Sequence, residues 1–118
     1  MTNLHLLTAN ERRALDAFAQ QLHTRFRGRV RSVVLFGSKA RGDFGPESDL
    51  DILVGLADDD VDLQWEVQRL AARVSLEYDL LLSVRAVGRS QWERMAHYRS
   101  PLYRALQAEG VPLLPESA

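Results

Sequence analysis

The sequence has no cysteine and no long apolar run, and its charges nearly cancel. Without cysteine it can form no disulfide scaffold, thiolate zinc site or cysteine nucleophile, which fits a reducing compartment. No apolar run approaches the roughly 18 residues of a membrane span, and the N-terminus lacks a signal-peptide pattern. A net charge of −1 indicates neither nucleic acid nor an anionic membrane as a partner. We therefore expect a cytoplasmic protein without membrane or direct nucleic-acid contacts.

The 118 residues predict a single domain over residues 1–118, with room for one core. A capping-box pattern at Thr8–Glu11 opens a predicted helix, and β-branched or apolar runs predict three strands. The predicted helix covers 9–26, and the strands cover 30–36, 50–54 and 77–87. This order of elements predicts a small α/β or α+β domain whose sheet is covered by helices on one side.

Local signals predict the remaining elements. An acidic loop at 58–60 supplies the N-cap of a helix whose apolar residues repeat from 63 to 74. Ser90–Glu93 has the spacing of a second capping box and predicts a short helix. Pro101 begins a last helix that Gly110 ends. The tail from 111 is expected to be extended and held by its leucines.

Two aspartates interrupt an apolar run, in the segment Asp49-Leu50-Asp51-Ile52. Side chains two apart on a strand point to the same face, so the two carboxylates project together and the apolar residues face the core. Neighbouring like charges raise a pKa or require a cation, and paired oxygen ligands suit Mg²⁺. The alternative interpretation is that Asp49 ends a turn and Asp51 lies on a solvated face.

Two further features strengthen the first interpretation. Gly37-Ser38 follows a predicted strand, where glycine allows close approach of a ligand and backbone N–H groups can bind an anion such as phosphate. An ordinary strand-to-helix turn would have the same sequence. Asp79 is predicted near the start of the third strand, where pairing with the Asp49/Asp51 strand would bring a third carboxylate beside the pair. Alternatively, Asp79 belongs to a solvated strand entrance.

Taken together, these residues resemble a known family. Phe36-Gly37-Ser38, ten residues and then Asp49-Leu50-Asp51-Ile52 resemble the signature of the DNA polymerase β-like nucleotidyltransferases. The segment "GSKARGDFGPESDLDILV" is similar to the minimal nucleotidyltransferase (MNT) family, and "SPLYRALQAEGVPL" resembles the end of such domains. The resemblance implies a small mixed β-sheet with helices packed against it.

The resemblance also implies site residues and ligands. Gly37 and Ser38 would hold the triphosphate of ATP, while Asp49, Asp51 and Asp79 would be the catalytic carboxylates and bind Mg²⁺, with two ions expected. Arg41 matches the family arginine and would contact phosphate, although an ion pair with an acid such as Asp43 or Glu47 explains it equally well.

Three functions stay open at this stage. MNT proteins are commonly antitoxins that transfer AMP to a tyrosine of a HEPN-domain ribonuclease toxin, so the resemblance implies a Mg²⁺- and ATP-dependent protein adenylyltransferase with a HEPN partner. Because the chain is too short for an additional acceptor domain, we expect the acceptor to come from another protein. The alternatives are a module that neutralises its partner by occlusion and a free-standing transferase for a small molecule.

The remaining polar and aromatic residues point to no further site. The three histidines lack ligand spacing, and the two tryptophans are most simply core or interface residues. Arginines in the last third predict solvated helix faces, with an acceptor surface as the alternative; they are Arg85, Arg89, Arg94, Arg99 and Arg104.

Overall fold

A computed structural model describes residues 7–42 and 49–114. Within these ranges the chain forms five helices and four strands. In chain order they are α1 (Ala9–Arg25), β1 (Val30–Phe36), α2 (Ser38–Arg41), β2 (Leu50–Leu56), α3 (Val61–Tyr78), β3 (Leu82–Val87), α4 (Arg89–His97), α5 (Pro101–Glu109) and β4 (Val111–Pro112). None of the helices in the described ranges has the length and apolar character needed to cross a membrane.

The four strands form one mixed sheet in the order β3-β2-β1-β4. β1 pairs antiparallel with both β2 and β4. β3 runs parallel to β2, with α3 as the crossover between them. This arrangement confirms the expected mixed α/β fold and puts β2, which carries Asp51, in the middle of the sheet.

Helices cover both faces of the sheet, so the prediction that only one face is covered is wrong. The larger apolar cluster joins α1 and α3 to one face of β1 and β2 and includes Phe18, Ile52 and Val67, none of which is exposed. A smaller cluster on the opposite face joins Leu53 and Val87 to α4 and α5. Alternate residues of β2 therefore bury apolar side chains on both faces, as a central strand of an α/β sheet requires.

The first helix begins as the sequence predicts. The Thr8 hydroxyl accepts a hydrogen bond from the Glu11 N–H at 3.0 Å, and the Glu11 carboxylate accepts one from the Thr8 N–H at 2.9 Å. The start of α3 is also as predicted, because the Asp60 side chain accepts a hydrogen bond from the Leu63 N–H at 3.0 Å. Short-range capping chemistry therefore decides both helix starts.

The start of α4 differs from the prediction. Its N-cap is Gly88, which has no side chain to offer, and the cap comes instead from Asp59 in the loop after β2. The Asp59 carboxylate accepts hydrogen bonds from both the backbone N–H, at 2.9 Å, and the hydroxyl of Ser90. These bonds hold the pKa of Asp59 below its usual value. The predicted Ser90–Glu93 capping box is thus replaced by a contact 31 residues distant in sequence.

The outer edge of β3 is covered by side chains of α3. Gln68 Nε2 donates to the Val84 carbonyl at 2.8 Å, and Gln64 Nε2 donates to the Ala86 carbonyl at 3.4 Å. Ser75 Oγ accepts from the Leu82 N–H at 3.0 Å. These contacts satisfy backbone groups that an edge strand would otherwise expose, and they fix β3 in place beside β2.

Candidate functional site

The two aspartates lie at the start of β2, as the spacing predicts. Asp49 is exposed and immediately precedes the strand, while Asp51 is its second residue and is partly buried. Between and after them, Leu50 and Ile52 are almost fully buried in the larger cluster. The strand therefore alternates between apolar residues that enter the core and carboxylates on the other face.

Gly37 lies directly against Asp51. Phe36, the last residue of β1, pairs with Asp51 across the sheet, and Gly37 follows with a φ of 78°. A Cβ on this residue would overlap the Asp51 carboxylate. Glycine is needed here both for the left-handed backbone and for the space that the carboxylate occupies. Ser38 then begins α2, so the turn after β1 lies beside Asp51.

The electrostatics of this site raise the pKa of Asp51. Burial is the largest cause, and the nearby charge of Asp49 acts in the same direction. The positive charges of Arg41 and Arg85 oppose the rise without cancelling it. A second carboxylate beside a partly buried one is costly unless a cation is bound. The pair is therefore suited to bind a positive ion.

Arg41 extends from α2 to the last residue of α5. Its guanidinium Nη1 lies 3.1 Å and 3.2 Å from the two carboxylate oxygens of Glu109. The sequence led us to expect either a phosphate contact or an ion pair with Asp43 or Glu47, and those two acids lie outside the described residues. The pair with Glu109 spans 68 residues, so no local pattern could have predicted it. Its effect is to anchor the helix after Gly37 while keeping a positive charge near Asp51.

Lys39 is a buried charged residue to which no sequence motif assigns a role. Its side chain is 4 % exposed and its Nζ lies 2.7 Å from Glu11 Oε2. Burial of Glu11 alone would raise its pKa, but the hydrogen bond and charge from Lys39, together with the Thr8 bonds, bring it below the usual value. The capping box of α1 and the helix after Gly37 are thus joined by one ion pair.

The prediction that Asp79 begins the third strand is wrong. Helix α3 continues to Tyr78, and Asp79 is its exposed C-cap in the left-handed conformation, with φ 52° and ψ 51°. Strand β3 begins three residues later, at Leu82. Aspartate tolerates left-handed backbone better than most residues, which suits it to end a helix. Within the ranges that the structure describes, no three acidic or histidine side chains group as metal ligands, so Asp79 is not brought together with Asp49 and Asp51.

The residues of β3 beside Asp51 are a serine and an arginine. Ser83 pairs with Asp51, and Arg85 pairs with Leu53. Directly paired residues project to the same face of a sheet, so both side chains share the face of Asp51. The predicted strand over 77–87 contains Arg85, but the sequence gives this residue no role at the aspartate pair and groups it with the arginines of solvated helix faces. The register between β2 and β3 brings it to this face.

Asp49 and Asp51 supply the oxygen ligands that a magnesium ion prefers, and such ions are commonly held by one or two carboxylates plus phosphates of a substrate. The raised pKa of Asp51 fits a site that gains from a bound cation. The positive charges of Arg41 and Arg85 near Asp51 are of the kind that accompany metal–phosphate complexes.

Comparisons with known proteins agree with this chemistry. Residues 15–101 match the model of the nucleotidyltransferase domain family. Two proteins of Methanocaldococcus jannaschii are similar in sequence. "Putative protein adenylyltransferase MJ0604" is 38% identical over 74 residues, covering 63% of this chain and 70% of that protein. "Putative protein adenylyltransferase MJ0141" is 36% identical over 70 residues, covering 58% and 71%.

Solved structures of toxin–antitoxin complexes share the fold. One determined with AMP-PNP superposes with a TM-score of 0.56 at 23% identity, covering 86% of this chain and 74% of that chain. Another, a mutant of an MntA toxin–antitoxin complex, superposes with a TM-score of 0.57 at 21% identity and the same coverage. The family match spans the Gly37 turn, both aspartates and β3, so this chain belongs to the nucleotidyltransferase domain family and is a nucleotidyltransferase.

Proposed function

We propose that this chain is a protein adenylyltransferase that transfers AMP from ATP to a hydroxyl of a partner protein and thereby acts as an antitoxin. The observation that carries the proposal is the aspartate pair held against the Gly37 turn, with Arg41 and Arg85 close enough to affect the pKa of Asp51. Support for a protein acceptor comes from the names of the two archaeal relatives. Support for a toxin partner comes from the toxin–antitoxin complexes that share the fold.

In the proposed reaction, a hydroxyl oxygen of the partner attacks the α-phosphorus of ATP. A new P–O bond forms, the bond to the β-phosphate oxygen breaks, pyrophosphate leaves with the electron pair, and the hydroxyl proton passes to water. Asp49 and Asp51 would hold Mg²⁺, which when bound neutralises charge on the phosphates. Gly37 and Ser38 would lie against the triphosphate, and Arg41 would keep that turn in place through Glu109.

The expectation of two ions depended on Asp79 as a third ligand. The described residues instead provide a carboxylate pair, which is enough for one Mg²⁺ shared with substrate phosphates. We therefore propose one ion held by the protein. The acceptor that we propose is a tyrosine of a HEPN-domain ribonuclease, as the resemblance of the Gly37–Ile52 segment implies.

Transfer of label tests the proposal. The purified chain is incubated with ATP labelled at the α-phosphate, Mg²⁺ and the protein encoded by the adjacent reading frame, and label on that protein is measured. We expect transfer by the wild type and none by Asp49→Asn/Asp51→Asn. Asp16→Asn/Asp58→Asn is the matched control, because it removes two exposed carboxylates elsewhere and should transfer normally. Equal transfer by both double variants would refute the assignment.

The lack of a three-acid metal group among the described residues favours a second candidate, a module that neutralises its partner by occlusion. Co-expression with the toxin separates the two. Rescue of growth that survives Asp49→Asn/Asp51→Asn at equal expression supports occlusion, whereas loss of rescue supports AMP transfer. Label transfer to a small molecule without any partner protein would instead support the free-standing transferase.

A further inference from the structure

The position next to Asp51 on the neighbouring strand has unexpected chemistry. In the parallel register of β2 and β3, Asp51 pairs with Ser83 and Leu53 pairs with Arg85. Alternate strand residues share a face, so Asp51, Ser83 and Arg85 lie on one side of the sheet. A third carboxylate was expected beside Asp51, but this stretch of β3 presents a hydroxyl and a guanidinium.

Among the described residues, several polar side chains at the Asp51 end of this face are accessible. The smaller apolar cluster covers the same face farther along, where Leu53 and Val87 contact α4 and α5. Ser83 and Arg85 are both exposed. The Arg85 side chain is therefore accessible on the same face as Asp51.

Arg85 also differs from Arg41, the other cation near the aspartates. Arg41 is anchored by both oxygens of Glu109. Among residues 7–42 and 49–114, the guanidinium of Arg85 has no hydrogen bond or ion pair, although its charge acts on Asp51. An arginine held in a folded strand presents a planar set of donors that matches phosphate oxygens.

We propose that Arg85 binds the β- or γ-phosphate of the nucleotide, so that β3 contributes a positive charge to the leaving pyrophosphate where a third metal-binding carboxylate was expected. This inference rests on the proposed nucleotide-transfer function. The aspartate pair with its ion and the guanidinium of Arg85 then hold the triphosphate from two adjacent strands. The positive charge of Arg85 stabilises the transition state most strongly when the bond to pyrophosphate breaks, because negative charge then grows on the leaving group.

Binding measurements on Arg85→Gln test the inference. Affinity for the non-hydrolysable triphosphate AMP-CPP and for AMP is measured by calorimetry in the presence of Mg²⁺. Loss of a charged hydrogen-bonding group predicts weakening of AMP-CPP binding by about 10- to 100-fold, with AMP binding changed by less than about 2-fold. Arg85→Lys keeps the charge but loses the paired donors. Its affinity for AMP-CPP should therefore lie between that of the wild type and that of Arg85→Gln. Unfolding midpoints should match the wild type, because the side chain is exposed.

The control is Arg69→Gln, which removes an exposed arginine of α3 whose partner is Glu66 on the same helix. It should bind both nucleotides as the wild type does. If Arg85→Gln binds AMP-CPP normally, the inference is wrong, and AMP transfer by the wild type would show that the proposed function still stands. An equal loss of affinity for AMP-CPP and AMP would also overturn the inference, because Arg85 would then affect nucleotide binding in general and not the β- and γ-phosphates. If the wild type binds no AMP-CPP, the proposed function itself fails.

Discussion

The two faces of the sheet differ in how far apolar packing extends along β2. On the face of α1 and α3, Leu50, Ile52, Val54 and Leu56 are all buried, so packing runs the full length of the strand. On the face of α4 and α5, Leu53 is the buried apolar residue of β2, and the cluster extends beside Asp51 only through the partly buried Phe36 of β1. One strand therefore stabilises the fold with one face and, at the end of the other, exposes charge that a ligand can use.

The comparison explains why a carboxylate in a core strand is tolerated. Asp51 lies between the buried residues Leu50 and Ile52, yet its own side chain points to the opposite face of the sheet. Because successive residues of a strand point to opposite faces, neighbouring substitutions should separate activity from stability. The predictions below test that separation, beginning with the largest effect.

Asp51→Asn should abolish transfer while leaving the protein folded. Loss of a metal ligand is expected to reduce AMP transfer by on the order of 10³-fold or more. Because the pKa of Asp51 is raised, its ionised form destabilises the metal-free fold, and stability should fall as pH rises from the ordinary value through the raised pKa. The variant should lack that loss and be more stable than the wild type at pH 7. Urea unfolding without metal measures the stability of both proteins. A variant less stable than the wild type would contradict the expected cost of the ionised Asp51.

Ile52→Ala, at the next residue of β2, should lower stability and leave nucleotide binding unchanged, which is the opposite of the result expected for Asp51→Asn. Ile52 is fully buried, so truncation removes apolar contacts and leaves a cavity that costs about 3 kcal/mol of unfolding free energy. The fraction that remains folded should bind AMP-CPP within about 2-fold of the wild type. Urea unfolding measures the free energy of unfolding, and calorimetry at low temperature measures the affinity for AMP-CPP. A large loss of affinity in folded protein would show that the two faces are not independent.

Lys39→Met should disturb the link between α1 and α2. Leaving Glu11 unpaired is expected to cost about 2 kcal/mol, less than a fully buried pair because Glu11 is partly exposed. The lowered pKa of Glu11 means that the pair stabilises the fold above the ordinary value of 4.5 and is lost as pH falls through the folded pKa. The difference between wild type and variant should therefore shrink below pH 4.5. Thermal unfolding at several pH values measures this, and a difference that is constant with pH would argue against the pair.

Asp79→Asn should have the smallest effect. Asparagine accepts the left-handed conformation of this C-cap, so stability should change by less than about 0.5 kcal/mol. If Asp79 lies apart from the aspartate pair in the working enzyme, AMP transfer should stay within about 3-fold of the wild type. A loss comparable to that of Asp51→Asn would restore Asp79 to the catalytic group and indicate that the start of β3 rearranges when nucleotide binds.

Some features could be predicted because short-range interactions decide them. The bounds of β1 and the start of α1 agree with the prediction, since a β-branched run and a capping box are complete within a few residues. The alternation of Leu50, Asp51 and Ile52 follows from strand geometry alone. Those signals also led to Gly37 and the aspartate pair, the part of the site that lies within one connection between adjacent strands.

Other features could not be predicted because their partners lie far apart in sequence. The apolar run after Tyr78 does not show where a helix ends and a strand begins, and the left-handed cap at Asp79 decided it. The cap of α4 comes from Asp59, and β4 forms by pairing Val111 with Leu35. In each case a distant segment satisfies a backbone group, and its identity depends on how the chain is folded.

The sequence by itself determined the aspartate pair, the glycine that makes room for it and the family to which the chain belongs, because each depends on spacing along one short segment. Only the tertiary structure decided what surrounds that pair. The register between β2 and β3 brings Ser83 and Arg85 beside Asp51, α5 brings Glu109 to Arg41, and α1 brings Glu11 to Lys39. These contacts depend on strand pairing and helix packing over long separations, which no local pattern specifies.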